Sequence, residues 1–103
     1  MMFQIKEQSS YPDYLALIII YQAGKKDITA VELWQEERKE WKGMRRAYGG
    51  VWDMASPPRG PMNVRILTQS DDDDGGQKWV QLTAAIPSEW KAGVTYDSAV
   101  QLV

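Results

Sequence analysis

Residues 14–21 read YLALIIIY, and this stretch decides the fold. Eight residues are too short to span a bilayer as a helix. The run is rich in Ile, lies between turn-like segments, and suits a strand buried on both faces. Working outward from it, most other segments are short and alternate with period 2. Phe3, Ile5 and Glu7 share one side of a first strand. After Ala23-Gly24-Lys25-Lys26-Asp27, the stretch Thr29 to Gln35 puts Val31 and Leu33 on one side and Glu32 and Trp34 on the other. Glu36 to Lys39 is a charged connection, and Trp41 to Arg46 alternates as one further strand. Gly49-Gly50 marks a bend before Val51-Trp52, and Ser56 to Pro61 (SPPRGP) excludes both helix and central strand. Met62 to Gln69 and Lys78 to Ala84 alternate again. Pro87, Glu89 and Trp90 open a loop, and Tyr96 to Val103 closes the chain in extended form.

No window sustains a 3.6-residue period over three turns. Glu32 to Lys42 carries enough charge for a helix, but polar residues fill the positions between Trp34 and Trp41 that a helix would make apolar. About eight strands with turns every 8–12 residues predict an all-β fold, a sandwich of two antiparallel sheets. The length of 103 residues suits a single domain spanning 1–103. A chain of this size buries roughly 60–70% of its unfolded surface. The Pro-rich segment is not a domain boundary, because neither side could bury a core alone.

Composition narrows the function. Apolar residues make up 44% and charged residues 25%, with a formal charge of −2. Such a chain folds, and it offers no basic field to a polyanion, which argues against nucleic acid as a partner. The chain contains neither Cys nor His. Disulfides, thiolate nucleophiles, Ser-His-Asp chemistry and most zinc sites are thereby removed, and no cofactor is expected. Asp71-Asp72-Asp73-Asp74 lacks the ligand spacing of an EF-hand loop and reads as a solvated turn, with a weak calcium site as the lesser alternative. Asp13, Asp53, Glu7, Glu32 and Asp97 are the carboxylates a glycosidase would draw on. Nothing in the linear sequence pairs any two of them, and all fit solvated strand edges or turns.

Five Trp and five Tyr stand out in a chain of this length. Flat exposed rings stack on the C–H faces of sugars. The plainer role is packing: Trp41, Trp52 and Trp90 are expected in the core or anchoring loops. Trp34, on the Glu32 side of its strand, is expected to be partly exposed, and Trp79 fits either face.

Taken in order, several stretches resemble one family. They are YLALIIIY at 14–21, ITAVEL at 28–33, EWKGMRRAYGGVWDM at 40–54, RGPMNVRILT at 59–68 and IPSEWKAGVTYDSAVQL at 86–102. Together they resemble the C-terminal domain of plant expansins, and most closely the free-standing grass pollen allergens of groups 2 and 3, over about residues 3 to 102. The resemblance implies an immunoglobulin-like β-sandwich of the family 63 carbohydrate-binding-module type. It also implies a secreted, non-catalytic domain of the plant cell wall that holds cellulose or related glucans on a row of surface aromatics. By motif position, those aromatics correspond here to Tyr14 and Tyr48. Other members carry a third platform aromatic where this chain has Asp13, which cannot stack. Many plant members carry a basic residue where this chain has Asp53. The barwin-like domain that precedes this module in two-domain expansins is not seen in the 103 residues, so wall loosening is not expected. No secretory leader is visible at Met1, and the chain reads as a form that starts after one has been removed.

A protein-interaction module on the same sandwich, binding no sugar, is the alternative. Trp34, the 36–39 turn and the Asp run are its candidate contacts. No membrane partner is expected.

Overall fold

The computed structural model describes residues 1–21, 26–70 and 76–98. Nine strands and no helix lie among them. They are β1 (Met2–Ile5), β2 (Tyr14–Ile20), β3 (Lys26–Gln35), β4 (Glu40–Gly43), β5 (Arg45–Tyr48), β6 (Val51–Ala55), β7 (Met62–Ser70), β8 (Gln77–Ile86) and β9 (Thr95–Asp97). They form a five-stranded sheet in the order β5-β6-β2-β1-β9 and a four-stranded sheet in the order β4-β3-β7-β8. Every pairing is antiparallel. This is the all-β, two-sheet sandwich expected. The Asp71–Asp74 turn lies outside the described residues, as does most of the segment 96–103.

Alternation builds the core. Phe3 and Ile5 from β1, Leu15 and Leu17 from β2, and Trp52 and Met54 from β6 project inward from one sheet. Val31 and Leu33 from β3 meet them from the other sheet, with Val64 and Ile66 of β7 and Leu82 of β8. Burying an aliphatic side chain of this size contributes about 1.5–3 kcal/mol, so this cluster is the main stabilising element. Trp52 and Trp90 are 5% and 2% exposed, and Tyr96 packs against the same cluster.

Three sequence expectations need correction. First, β2 is sealed on both faces only over Leu15, Ala16 and Leu17; on its outer face Ile18 is half-buried and Ile20 exposed. Second, Trp41 to Arg46 is two strands in different sheets. The chain crosses the sandwich at Met44, which is buried and donates its backbone N–H to Val31 O at 2.8 Å. Alternation hid the crossing, because a buried Met between polar neighbours looks the same in a continuous strand. Third, Trp41 is half-buried on the outer face of the four-stranded sheet, where it meets Trp34 of the paired strand edge-on at 5.4 Å.

Candidate functional site

Tyr14 opens β2, and Tyr48 ends the edge strand β5. Register decides whether they share a face. Tyr14 lies opposite Ala55 on β6, and Ala16 lies opposite Asp53. From the other side, Arg45 lies opposite Asp53 and Arg46 opposite Trp52. Trp52 is in the core, so Asp53 and Arg45 face outward. In an unbroken strand Tyr48 would then point the same way as Arg46. A bulge between Arg46 and Tyr48 resets the alternation and places Tyr48 opposite Val51. Val51 alternates with Trp52 and so shares the side of Asp53. The two tyrosines and the Arg45–Asp53 pair therefore lie on one outer face. Gly49, at φ 51°, makes the tight return into β6 that a Cβ would disfavour.

Asp53 sits beneath this face, only 3% exposed. Its Oδ1 accepts from Arg45 Nε at 2.9 Å. Its Oδ2 accepts from Arg45 Nη2 at 2.7 Å and from the Tyr14 hydroxyl at 2.7 Å. The expectation of a solvated Asp53 was wrong. Arg45 of β5 and Tyr14 of β2, eight and 39 positions away in the chain, bond it from the two neighbouring strands. The fork of Arg45 holds the Asp53 carboxyl below the usual carboxylate range, assisted by the Tyr14 hydroxyl and opposed by burial. The same bond raises the Tyr14 phenol, with burial adding to the effect.

Tyr48 is 61% exposed, and its hydroxyl accepts from Gln8 Nε2 at 2.7 Å. Among the described residues, neither tyrosine ring stacks on another aromatic or on a cation, and each is tied by its hydroxyl. Asp13 is exposed and lines a hollow of about 240 Å³ at the end of the sandwich, together with Gln35, Glu36, Ser56 and Arg59. Among the described residues no cluster of three acidic side chains could hold a metal.

The opposite outer face is built differently. Arg65 of β7 lies over Trp41 at 4.7 Å and over Trp79 at 4.3 Å. Its guanidinium pairs with Glu32, the residue opposite it on β3. Glu32 is half-buried, not the solvated edge residue expected. Trp34 is half-buried as predicted, and its indole N–H donates to Glu36 at 2.7 Å. Lys39 also pairs with Glu36, which lowers the Glu36 carboxyl. Trp79 faces outward and is 40% exposed. Elsewhere, Tyr11 packs edge-on to Trp90 at 5.0 Å.

The fold and these two faces define a two-sheet β-sandwich domain with Tyr14 and Tyr48 on the outer face of one sheet. Residues 1–87 match the family described as the expansin C-terminal domain. Expansin-like B1 of Arabidopsis thaliana is 45% identical over 99% of this chain, and its rice namesake is 42% identical over 97%. Pollen allergen Phl p 1 of Phleum pratense is 33% identical over 89% of it. The chain covers 40%, 39% and 34% of those three proteins respectively, so it spans well under half the length of each. The chain belongs to the expansin C-terminal domain family. Among the described residues no helix is long and apolar enough to cross a membrane.

Proposed function

We propose that this chain is a secreted, non-catalytic binding domain for plant cell-wall polysaccharide, and that it holds a glucan chain against the rings of Tyr14 and Tyr48. One observation carries this reading. The bulge in β5 turns Tyr48 to the side of Tyr14, where both rings are tethered by their hydroxyls, with Tyr48 exposed and Tyr14 half-buried. Such rings supply the flat apolar contact that a pyranose C–H face needs. Membership of the expansin C-terminal domain family, and the names of its relatives, support the cell-wall setting.

The test is retention on insoluble cellulose and on mixed-linkage glucan, with wild type beside the Tyr14→Ala/Tyr48→Ala variant. Binding by wild type that the double variant loses supports the reading. Binding that survives the double substitution removes the tyrosines from it, and no binding by folded wild type removes the polysaccharide.

A further inference from the structure

The tyrosine face carries an ion pair of unequal exposure. The side chain of Arg45 is 76% exposed, and that of Asp53 only 4%. Asp53 spends both oxygens within the protein, on the Arg45 fork and on the Tyr14 hydroxyl. Arg45 spends on Asp53 only the edge formed by Nε and Nη2. A guanidinium has five N–H donors in one plane, so donors remain that face solvent beside the Tyr14 ring. Their charge is already matched by the carboxylate beneath.

This arrangement differs from an ordinary surface arginine in two respects. The fork is pinned on its inner edge, so its donors are held in direction before any ligand arrives, which reduces the ordering cost of binding. The pair is also neutral as a unit. A pinned, neutralised donor suits sugar hydroxyl oxygens, which accept hydrogen bonds without bringing charge. It offers little to a carboxylate, which would have to compete with Asp53 for Arg45 and sit close to a second anion.

We propose that the Arg45–Asp53 pair is the polar half of the tyrosine surface: Asp53 positions the Tyr14 ring and the Arg45 fork, and Arg45 donates to the hydroxyls of an uncharged glucan in preference to a polyuronate. This rests on the reading of Tyr14 and Tyr48 as the glucan surface. Asp53 is a positioning residue, and Arg45 is the residue that touches ligand.

The experiment uses the 103-residue chain with Asp53→Asn and Arg45→Gln, each checked for a cooperative melt. The probes are mixed-linkage glucan and polygalacturonate. Asn keeps the shape of Asp53 and one acceptor for Tyr14, but leaves Arg45 unneutralised. Asp53→Asn should lose about three- to tenfold in glucan binding, the loss of one or two good hydrogen bonds. It should gain polygalacturonate binding that disappears as added salt shortens the Debye length to roughly 3 Å near 1 M. The Tyr14 phenol should titrate lower in Asp53→Asn than in wild type; loosening of the fold would lower it too, so the gain of polygalacturonate binding is the signature that separates the two. Arg45→Gln should lose glucan binding to a similar extent and gain no polygalacturonate binding. Glucan binding unchanged in both variants overturns the proposal while leaving the tyrosine reading intact, provided Tyr14→Ala/Tyr48→Ala still loses it. Wild type that binds no glucan overturns both. Wild type that binds polygalacturonate as well as it binds glucan overturns the preference for neutral chains.

Discussion

The two outer faces of the sandwich are assembled from the same parts and use them in opposite ways. Each has an arginine bonded to a carboxylate on the neighbouring strand, and each has aromatic side chains beside that pair. On the four-stranded sheet the rings are consumed internally. Arg65 lies over Trp41 and Trp79, and Trp41 takes the edge contact of Trp34. On the five-stranded sheet, Arg45 lies over neither tyrosine. Tyr14 and Tyr48 are held at their hydroxyls by Asp53 and Gln8. A ring held by its rim keeps its faces for a ligand, whereas a ring stacked on an arginine contributes to stability. The proposed glucan surface therefore rests on the way each ring is held and not on the number of tryptophans.

The largest expected effect is on binding. Tyr14→Ala with Tyr48→Ala should cost roughly five- to a hundredfold in glucan retention, since two lost stacking contacts of roughly 0.5–1.5 kcal/mol each span that range. Its thermal midpoint should fall by no more than about 4–8 °C, roughly the loss of one hydrogen bond, because Asp53 loses the Tyr14 hydroxyl but keeps the Arg45 fork. A midpoint lower by more than that would show the tyrosines to be structural, and the contrast between the faces would fail.

Arg65→Ala should do the reverse. It removes two cation–π contacts and leaves half-buried Glu32 unpaired, a loss of about 1–2 kcal/mol. For a domain of this size that lowers the thermal midpoint by about 4–8 °C per kcal/mol. Glucan retention should not change. If retention falls while stability holds, the tryptophan face takes part in binding.

This contrast was only partly legible in the sequence. Strands and core faces could be read because burial in a sandwich imposes period 2, and Phe3, Ile5, Val31, Leu33, Val64 and Ile66 all follow it. Tyr14 and Tyr48 could be named from motif position, but their common face could not, because a bulge shifts register by one residue without marking the sequence. The crossing at Met44 was hidden for a similar reason. Asp53 was misjudged because its burial is made by Tyr14, 39 positions away in the chain, together with Arg45. The Trp41–Arg65–Trp79 stack likewise joins three strands. Local pattern reports which side a residue takes within a strand; only pairing reports who its neighbours are.

A smaller effect follows from pH. The Asp53 carboxyl is lowered in the folded protein from an ordinary value of 3.8, chiefly by its bonds to Arg45. A depressed carboxylate stabilises the fold fully above that ordinary value, and the contribution is lost as pH falls through the folded one. Denaturant midpoints taken from about pH 6 down to pH 2 should therefore fall at the acid end in wild type. In Asp53→Asn the curve should start lower and fall less steeply below about pH 4. An identical acid limb in both proteins would remove Asp53 from this part of the stability curve.

The smallest effect compares the hairpins that serve the two faces. The return from β5 to β6 places Gly49 at φ 51°, while the turn between β3 and β4 places Lys39 at φ 52°. Left-handed backbone suits Gly and costs a side-chain-bearing residue roughly 1–2 kcal/mol. Part of that is offset because Gly loses more freedom on folding, by about 0.5–1 kcal/mol. Lys39 also pairs with Glu36, but both side chains are largely exposed, at 70% and 69%, so the pair adds little. Lys39→Gly should therefore raise stability on the order of 0.5 kcal/mol, read as a shift of a few degrees in the thermal midpoint. Glucan retention should be unaffected, because this turn serves the face whose rings are already occupied. If Lys39→Gly weakened retention, the β3–β4 turn would belong to the binding surface, and the division between a stabilising face and a binding face would have to be abandoned.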